Sequence, residues 1–393
     1  MSTGDEHRNM LPTPSQQTGV VYDLQAYGFS PHGGIARIFD ELFTVIDRPG
    51  SPWTAYLFHE YHLQRYPTRG ERVRFHPDGL TMHPLLRRFP SVRRVTAPLL
   101  RARRKALNIR LFHPTFYPNH QTFAHLPAVV NVYDLVHETI DHADNMPDHQ
   151  GYLEIKRRWI ERANQLICIS ESTRRELLEH YHVPEDRVHV IHLGYGARFR
   201  PMETTESHPP VIRGMPNDHK PYFLYVGSRQ RYKNFHRLIA AYGAWHHNHE
   251  VNLVVVGNPC QHEDRVLMDL AGQPYGVYFT GPVSDEELVN LYNRAAGFIY
   301  PSLKEGFGIP LLEAMACRCP MLVSDIPVFR EVAGDQALYM NPVDQESMID
   351  GMDRLLAFEK ITWPEQTRTA QLAKYSWERC SQETLAVYQK ALA

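Results

Sequence analysis

The chain has 393 residues, 43% of them hydrophobic, with 42 basic and 44 acidic side chains for a formal charge of -2. That length fits two or three domains with a core in each, and the balanced charge excludes a chain that is basic overall and built to coat nucleic acid. Residues 1–19 are polar with no apolar core, which argues against a signal peptide or a spanning helix there and predicts a disordered segment of a cytoplasmic protein.

In the first half, apolar runs predict strands over 19–23, 53–58, 109–112, 128–133, 165–170 and 188–192, with helices over 36–45 and 173–180 among them. Between the first two strands, Ser30-Pro-His-Gly-Gly-Ile-Ala-Arg37 opens a helix, and a Gly-Gly pair there lets backbone amides meet a phosphate. The segment 85–110 holds eight arginines and one lysine without an acidic residue, interleaved with leucine, phenylalanine and valine. Such a segment suits an anionic bilayer surface, although Pro90 and Pro98 interrupt any long amphipathic helix. Phe112-His-Pro-Thr-Phe-Tyr117 and Val132-Tyr-Asp-Leu-Val-His-Glu138 each follow a strand. They set His113, Asp134, His137 and Glu138 at carboxyl ends, where sheets of this kind bind ligands.

Residues 201–220 carry four prolines and few apolar residues, and read as a linker between a domain over 20–200 and one over 221–375. Beyond it the pattern is regular. Strands over 223–228, 252–258, 277–281, 297–302, 320–325 and 337–341 alternate with helices over 234–245, 262–271, 284–295, 310–317, 328–332 and 346–356. This is α/β patterning for a doubly wound parallel sheet, so two such Rossmann-like domains should face each other across a cleft. A last amphipathic helix over 376–392 would turn Trp377, Thr384, Leu385 and Tyr388 inward.

Two loops of the second half carry the most chemistry. After the strand ending at Tyr300, Glu305-Gly-Phe-Gly-Ile-Pro-Leu-Leu-Glu313 runs through a glycine loop into a helix at Pro310. Glu313 would lie in its first turn, near unpaired amides on which a diphosphate can dock. Gly306 and Gly308 would let a ligand approach the backbone, and the two carboxylates accept from paired hydroxyls of a sugar and a ribose. Val226-Gly-Ser-Arg-Gln-Arg-Tyr-Lys-Asn234 offers Gly227, Arg229 and Lys233 at another strand's carboxyl end, cations that complement a diphosphate.

These motifs resemble the GT-B glycosyltransferases of the family 4 type, on the E-x7-E pair Glu305 and Glu313 and on Gly227-Ser-Arg229 through Lys233-Asn234, with a likeness over nearly everything after residue 20. The resemblance implies Glu313 on the nucleotide ribose, Glu305 near the donor sugar, and the Phe307 and Gly308 amides on that sugar. It implies that Arg229 and Lys233 neutralise the leaving diphosphate, and that Gly33, Gly34 and Arg37 reach it from the first domain. The family often has His-Asp where this chain has Tyr133-Asp134; His137 stands in for that first histidine and is assigned to the acceptor or donor-sugar side beside Asp134, Glu138 and His113. Retention at the anomeric carbon is implied too, as is polysaccharide assembly with mannose from GDP-mannose. The partners expected are a nucleotide-sugar donor, a saccharide or lipid-linked saccharide acceptor and the inner face of the cytoplasmic membrane, with no nucleic acid.

No cofactor or metal is expected: the nucleotide-sugar is a substrate, and no Asp-x-Asp triplet occurs in the chain. Of the 23 histidines, the pair His246 and His247 stands without cysteine or carboxylate ligands at useful spacing and reads as surface. Five scattered cysteines read as reduced and buried. Three other readings remain at this stage: a UDP-sugar transferase with a soluble acceptor, a nicotinamide-dependent dehydrogenase, and a sugar-nucleotide binding module without turnover. The dehydrogenase would want a G-x-G-x-x-G fingerprint after a strand, and none is present.

Overall fold

The computed structural model of the protein describes residues 17–30, 33–58, 65–68, 70–75, 107–140, 148–202, 215, 220–272, 274–357 and 364–393. The basic segment up to residue 106, the first sixteen residues and most of the linker lie outside these.

The first domain is a parallel sheet of β1 (Thr18–Asp23), β2 (Trp53–Phe58), β3 (Val73–Phe75) and β4 (Ile109–Phe112), in the order β3-β2-β1-β4. It continues into β5 (Val129–Val132), β6 (Gln165–Cys168) and β7 (Val188–Val190) through a parallel bridge between Phe112 and Ala128. All six residues of β2 and all four of β5 are buried, as expected for strands covered on both faces. Five helices are described here: α1 (Gln25–Phe29), α2 (Gly34–Ile46), α3 (Val136–Thr139), α4 (His149–Arg162) and α5 (Glu171–His180).

The second domain repeats the plan. Its strands β8 (Tyr222–Val226), β9 (Asn252–Val256), β10 (Val277–Gly281), β11 (Gly297–Tyr300), β12 (Met321–Ser324) and β13 (Leu338–Met340) pair in the order β10-β9-β8-β11-β12-β13, all parallel. Between them run α6 (Phe235–Ala244), α7 (His262–Leu270), α8 (Asp285–Arg294), α9 (Ile309–Ala316) and α10 (Pro327–Ala333), followed by α11 (Gln345–Leu356), α12 (Glu365–Leu372) and α13 (Trp377–Leu392). In both sheets the first strand is flanked by the second on one side and by the fourth on the other. The chain therefore reverses direction across the sheet there, and that switch point opens a crevice at the carboxyl ends.

The helix α13 leaves the second domain and returns to the first, burying Trp377, Cys380, Thr384 and Tyr388 against α2 and the β4 to β6 strands. The Tyr388 hydroxyl meets that of Tyr22 on β1 at 2.9 Å and the His113 Nδ1 at 2.6 Å. Leu385, expected on the inner face, is only half buried. The cysteine expectation also changes at one place: all five thiols are free, but Cys260 is partly exposed on the loop after β9. Among the described residues no helix is long and apolar enough to cross a membrane.

Candidate active site

The loops after β8 and β11, on adjacent strands at the switch point, are sewn together. After β8 the chain makes a single 3-10 turn over Arg231–Lys233, then passes through Asn234 in the left-handed conformation, φ 60°. Asn234 is fully buried, and its amide donates to the Pro301 carbonyl at 3.0 Å and to that of Pro342 at 2.6 Å. The Leu303 amide returns to the Tyr232 carbonyl at 2.8 Å. This lacing fixes Lys233 over the second loop, where its ammonium donates to Glu305 Oε1 at 2.7 Å. The Ser302 hydroxyl donates to the same oxygen at 2.7 Å, and the Tyr300 hydroxyl lies 3.4 Å from Lys233 Nζ. Burial alone would depress the Lys233 ammonium, but Glu305, with Tyr300 and Tyr232 nearby, holds its pKa well above the usual lysine range. A fixed cation therefore stands at the crevice at neutral pH.

Glu313 lies deeper. The helix α9 begins at Ile309 behind an N-cap Gly308 with φ 104°, a conformation that glycine adopts without strain. Pro310 is therefore its second residue, not its first, and Glu313 falls in the second turn rather than at the free amides. Its carboxylate is 3.5 Å from Arg37 Nη1 of the first domain and accepts from the Tyr292 hydroxyl at 3.5 Å. Burial raises the Glu313 pKa to about 7, with Asp285 adding to the rise, while Arg37 and Tyr292 oppose it.

The first domain meets this site edge to edge. Gly34, the first residue of α2, sits against Ile309, the first of α9: a Cβ on Gly34 would touch the Ile309 side chain at 3.3 Å. Two helix N-termini thus converge at the junction, each presenting unpaired amides. Gly306 fits against the Tyr133 carbonyl and Asp134, with which any added Cβ would collide. It serves the contact between domains, whereas sequence reasoning gave it to a ligand. The Thr173 hydroxyl donates to the Gly306 carbonyl at 3.2 Å, and Lys304 pairs with Glu176 at 2.8 Å. Glu331 accepts from the Glu171 and Ser172 amides at the start of α5, at 2.8 and 3.1 Å, and from His192 Nε2 at 2.7 Å. Sequence reasoning missed this clasp, because Thr173 and Glu331 look like ordinary helix residues until the domains are set side by side.

Several residues expected at the site have other work. His113 is fully buried between Tyr388 and the Asn131 side chain, 3.2 Å from Nε2, and burial lowers its pKa to about 3. It is a neutral core residue, not an acceptor contact. Both oxygens of Glu138 are engaged, accepting from the buried Lys156 at 2.8 and 2.9 Å and from the Tyr181 hydroxyl at 2.7 Å. Such a pair holds α3 against α4 and commits both carboxylate oxygens within the protein. The Asp134 carboxylate, two residues ahead, accepts from the Val136 amide that opens α3 at 3.0 Å, and its own carbonyl accepts from Lys156 at 2.8 Å. Arg229 is drawn toward α7: its guanidinium makes two bonds to Asp264, at 2.6 and 2.8 Å, and reaches the Asn258 and Pro259 carbonyls. Its charge is compensated within the protein by Asp264, as that of Lys233 is by Glu305. Gly227 sits beside it in an extended positive-φ conformation. Half-buried His137 stands edge-on to Tyr152 at 4.9 Å, and Phe307 packs on Tyr375. Gly33 is the N-cap of α2, folded onto Ser30.

Two Rossmann-like domains clasped at their carboxyl edges, with a half-buried lysine, two glutamates and paired helix N-termini at the junction, make the arrangement of the GT-B fold. Comparison with known proteins agrees: residues 33–196 match the family described as Glycosyltransferase Family 4, and residues 213–374 match Glycosyl transferases group 1. The chain belongs to this glycosyltransferase family. It is similar to the O-antigen chain mannosyltransferase B of Escherichia coli, 29% identical over 304 residues that cover 74% of this chain and 78% of that one. It is 32% identical to the O-antigen chain mannosyltransferase RfbU of Salmonella typhimurium over 194 residues, 48% of this chain and 50% of that one, so it spans half the length of that relative. In structure it superimposes on Anabaena HepE, solved in complex with UDP, with a TM-score of 0.67 at 14% identity over 95% of this chain and all of that one.

Proposed function

We propose that the protein is a retaining, metal-independent mannosyltransferase that uses GDP-mannose to extend a saccharide or lipid-linked saccharide in cell-surface polysaccharide synthesis. The observation that carries this reading is the Lys233–Glu305 pair at the switch point, on the loop that leads into α9. Mannose as the sugar is supported by the E. coli and Salmonella relatives, both of which carry that transfer in their names.

Lys233 and the helix-start amides would hold the donor diphosphate, and Glu313 would take the ribose. As the bond from the anomeric carbon to the diphosphate oxygen breaks, negative charge grows on that oxygen. A pre-positioned ammonium and fixed amides stabilise this charge more in the transition state than in the ground state, which is what accelerates the step. The acceptor hydroxyl attacks from the same face, and its proton passes to the departing phosphate oxygen, so the configuration is kept. Bonded to Lys233 and Ser302, Glu305 is placed to accept from donor-sugar hydroxyls. His137 would take the acceptor or donor-sugar side. The basic segment 85–110 would seat the protein on an anionic membrane beside lipid-linked acceptors, each cation contributing about 1 kcal/mol.

Melting temperature with GDP, UDP or ADP tests the donor site, since a ligand at 100 times its Kd stabilises by about 2.7 kcal/mol. A GDP-selective rise that E313A abolishes is expected, and E305A should keep the rise yet lose turnover of GDP-mannose. A rise with UDP alone would move the donor to UDP-sugars. No rise with any nucleotide would overturn the reading.

A further inference from the structure

On the far side of the second domain lies a group of side chains that the transfer reaction does not use. The helices α6 and α11 both start near the carboxyl edge of the sheet and run back, so their C-termini meet at the opposite edge from the crevice. There His246, His247 and Asp353 bring one ligand atom each to within 4.8 Å of one another. They line an open depression of about 540 Å³ together with Leu356 and Ala357. We propose that these three residues form a binding site for zinc or a similar borderline divalent ion, which ties the end of α6 to the end of α11.

Three observations carry the assignment. The residue types are those of zinc: two imidazoles and a carboxylate, leaving the fourth tetrahedral position to water. His246 Nε2 stands 3.8 Å from Asp353 Oδ1, close to the separation of about 3.4 Å that two ligands take on one tetrahedral zinc at bond lengths near 2.1 Å. His246 is largely exposed, so its ring is free to close the remaining distance. The partners behind the ligands are also in place. The His247 Nδ1 is 3.0 Å from Glu250 Oε2, which fixes the tautomer with Nε2 as the ligand atom, and the Trp245 indole donates to Asp353 Oδ1 at 2.7 Å. A carboxylate behind a ligating histidine is the usual way that a protein orients the ring and raises its basicity.

The helix ends favour a cation as well. Trp245 caps the end of α6 and Ala357 that of α11, so the unpaired carbonyls of two last turns point toward this edge. Asp353 is in the last turn of α11, where its own charge opposes the helix dipole, and a bound cation would reverse that conflict. In the sequence the His-His pair had no third ligand in reach; folding supplies Asp353 from the far helix.

The test is titration of chelator-treated full-length protein with zinc chloride by calorimetry, repeated with cobalt chloride for its visible absorption. One equivalent should bind more tightly than any other and raise the melting temperature. H246A and D353N should each remove that equivalent, D353N while keeping an acceptor for Trp245. The exposed variant E250Q, which leaves all three ligands in place, should weaken it by about 10- to 100-fold. H249A, on the same turn, should leave it unchanged. Equal zinc uptake by wild type, H246A and D353N would overturn the proposal, as would a wild type with no equivalent that the variants lose.

Discussion

Replacing Gly306 by alanine adds a single methyl group at the place where the second domain touches the carbonyl of Tyr133. Real Cβ contacts are essentially never under 3.0 Å, and the added carbon would begin well inside that limit, against backbone rather than a flexible side-chain end. Either the loop or the end of β5 must withdraw by about 1 Å or more. The Thr173 hydroxyl bond to Gly306 and the Lys304–Glu176 pair resist that movement, so the two edges should reseat with Lys233 and Glu305 displaced from the first domain. A misplacement of about 1 Å costs about 10²-fold in rate, or about 2.7 kcal/mol of transition-state stabilisation. The assay is GDP release from GDP-mannose with acceptor, read as kcat/KM, beside melting temperature and the GDP-induced shift. G306A should lose about 10²-fold in kcat/KM while the GDP response, to which Lys233 and Glu313 of the second domain contribute, is weakened far less. A variant within twofold of wild type in turnover would refute the view that this glycine sets the spacing of the domains.

Two other expectations concern buried charge. Because the Glu313 pKa is raised to about 7, the folded protein keeps a proton that the unfolded chain releases near 4.5, so stability falls as pH rises between those values. E313Q should remove this slope and gain up to roughly 3 kcal/mol above pH 8 relative to wild type, measured by urea unfolding from pH 4 to 9; parallel curves would contradict the assignment. Lys156 and Glu138 are 2.8 Å apart with almost no solvent access, so K156M, which strands the carboxylate, should cost about 3–5 kcal/mol by the same measurement. A loss under 1 kcal/mol would mean that water reaches Glu138.

Apart from α12, which the sequence did not mark, the second domain was legible almost element by element, since each of its strands is a short apolar run between helices whose own period is clean. Less of the first domain could be read, for identifiable reasons. The edge strand β3 spans three residues, with Arg74 exposed between Val73 and Phe75, and leaves no run to detect. In α4 one of the inward positions is Lys156, so the apolar period that marks a helix is broken by the residue that matters most to its packing. The site residues divide in the same way. Lys233, Glu305 and Glu313 follow from loop chemistry next to a strand, which is local. His113 and Glu138 also sit at strand ends, but their partners, Tyr388 and Lys156, decide their fate and come from elsewhere in the chain. Gly306 and the Glu331 clasp depend on two domains meeting, information that no window of sequence holds.

The return of α13 to the first domain has a consequence for how the protein is made. Tyr388 completes a cluster with Tyr22 and His113, so the first domain's interior stays open at that point until the ribosome has added nearly the whole second domain. At about 5–20 residues per second, the stretch from the end of the first domain to Tyr388 takes roughly 10–40 seconds. For that interval the nascent first domain exposes the groove that α13 will fill, and a chain released early would carry that groove permanently uncovered.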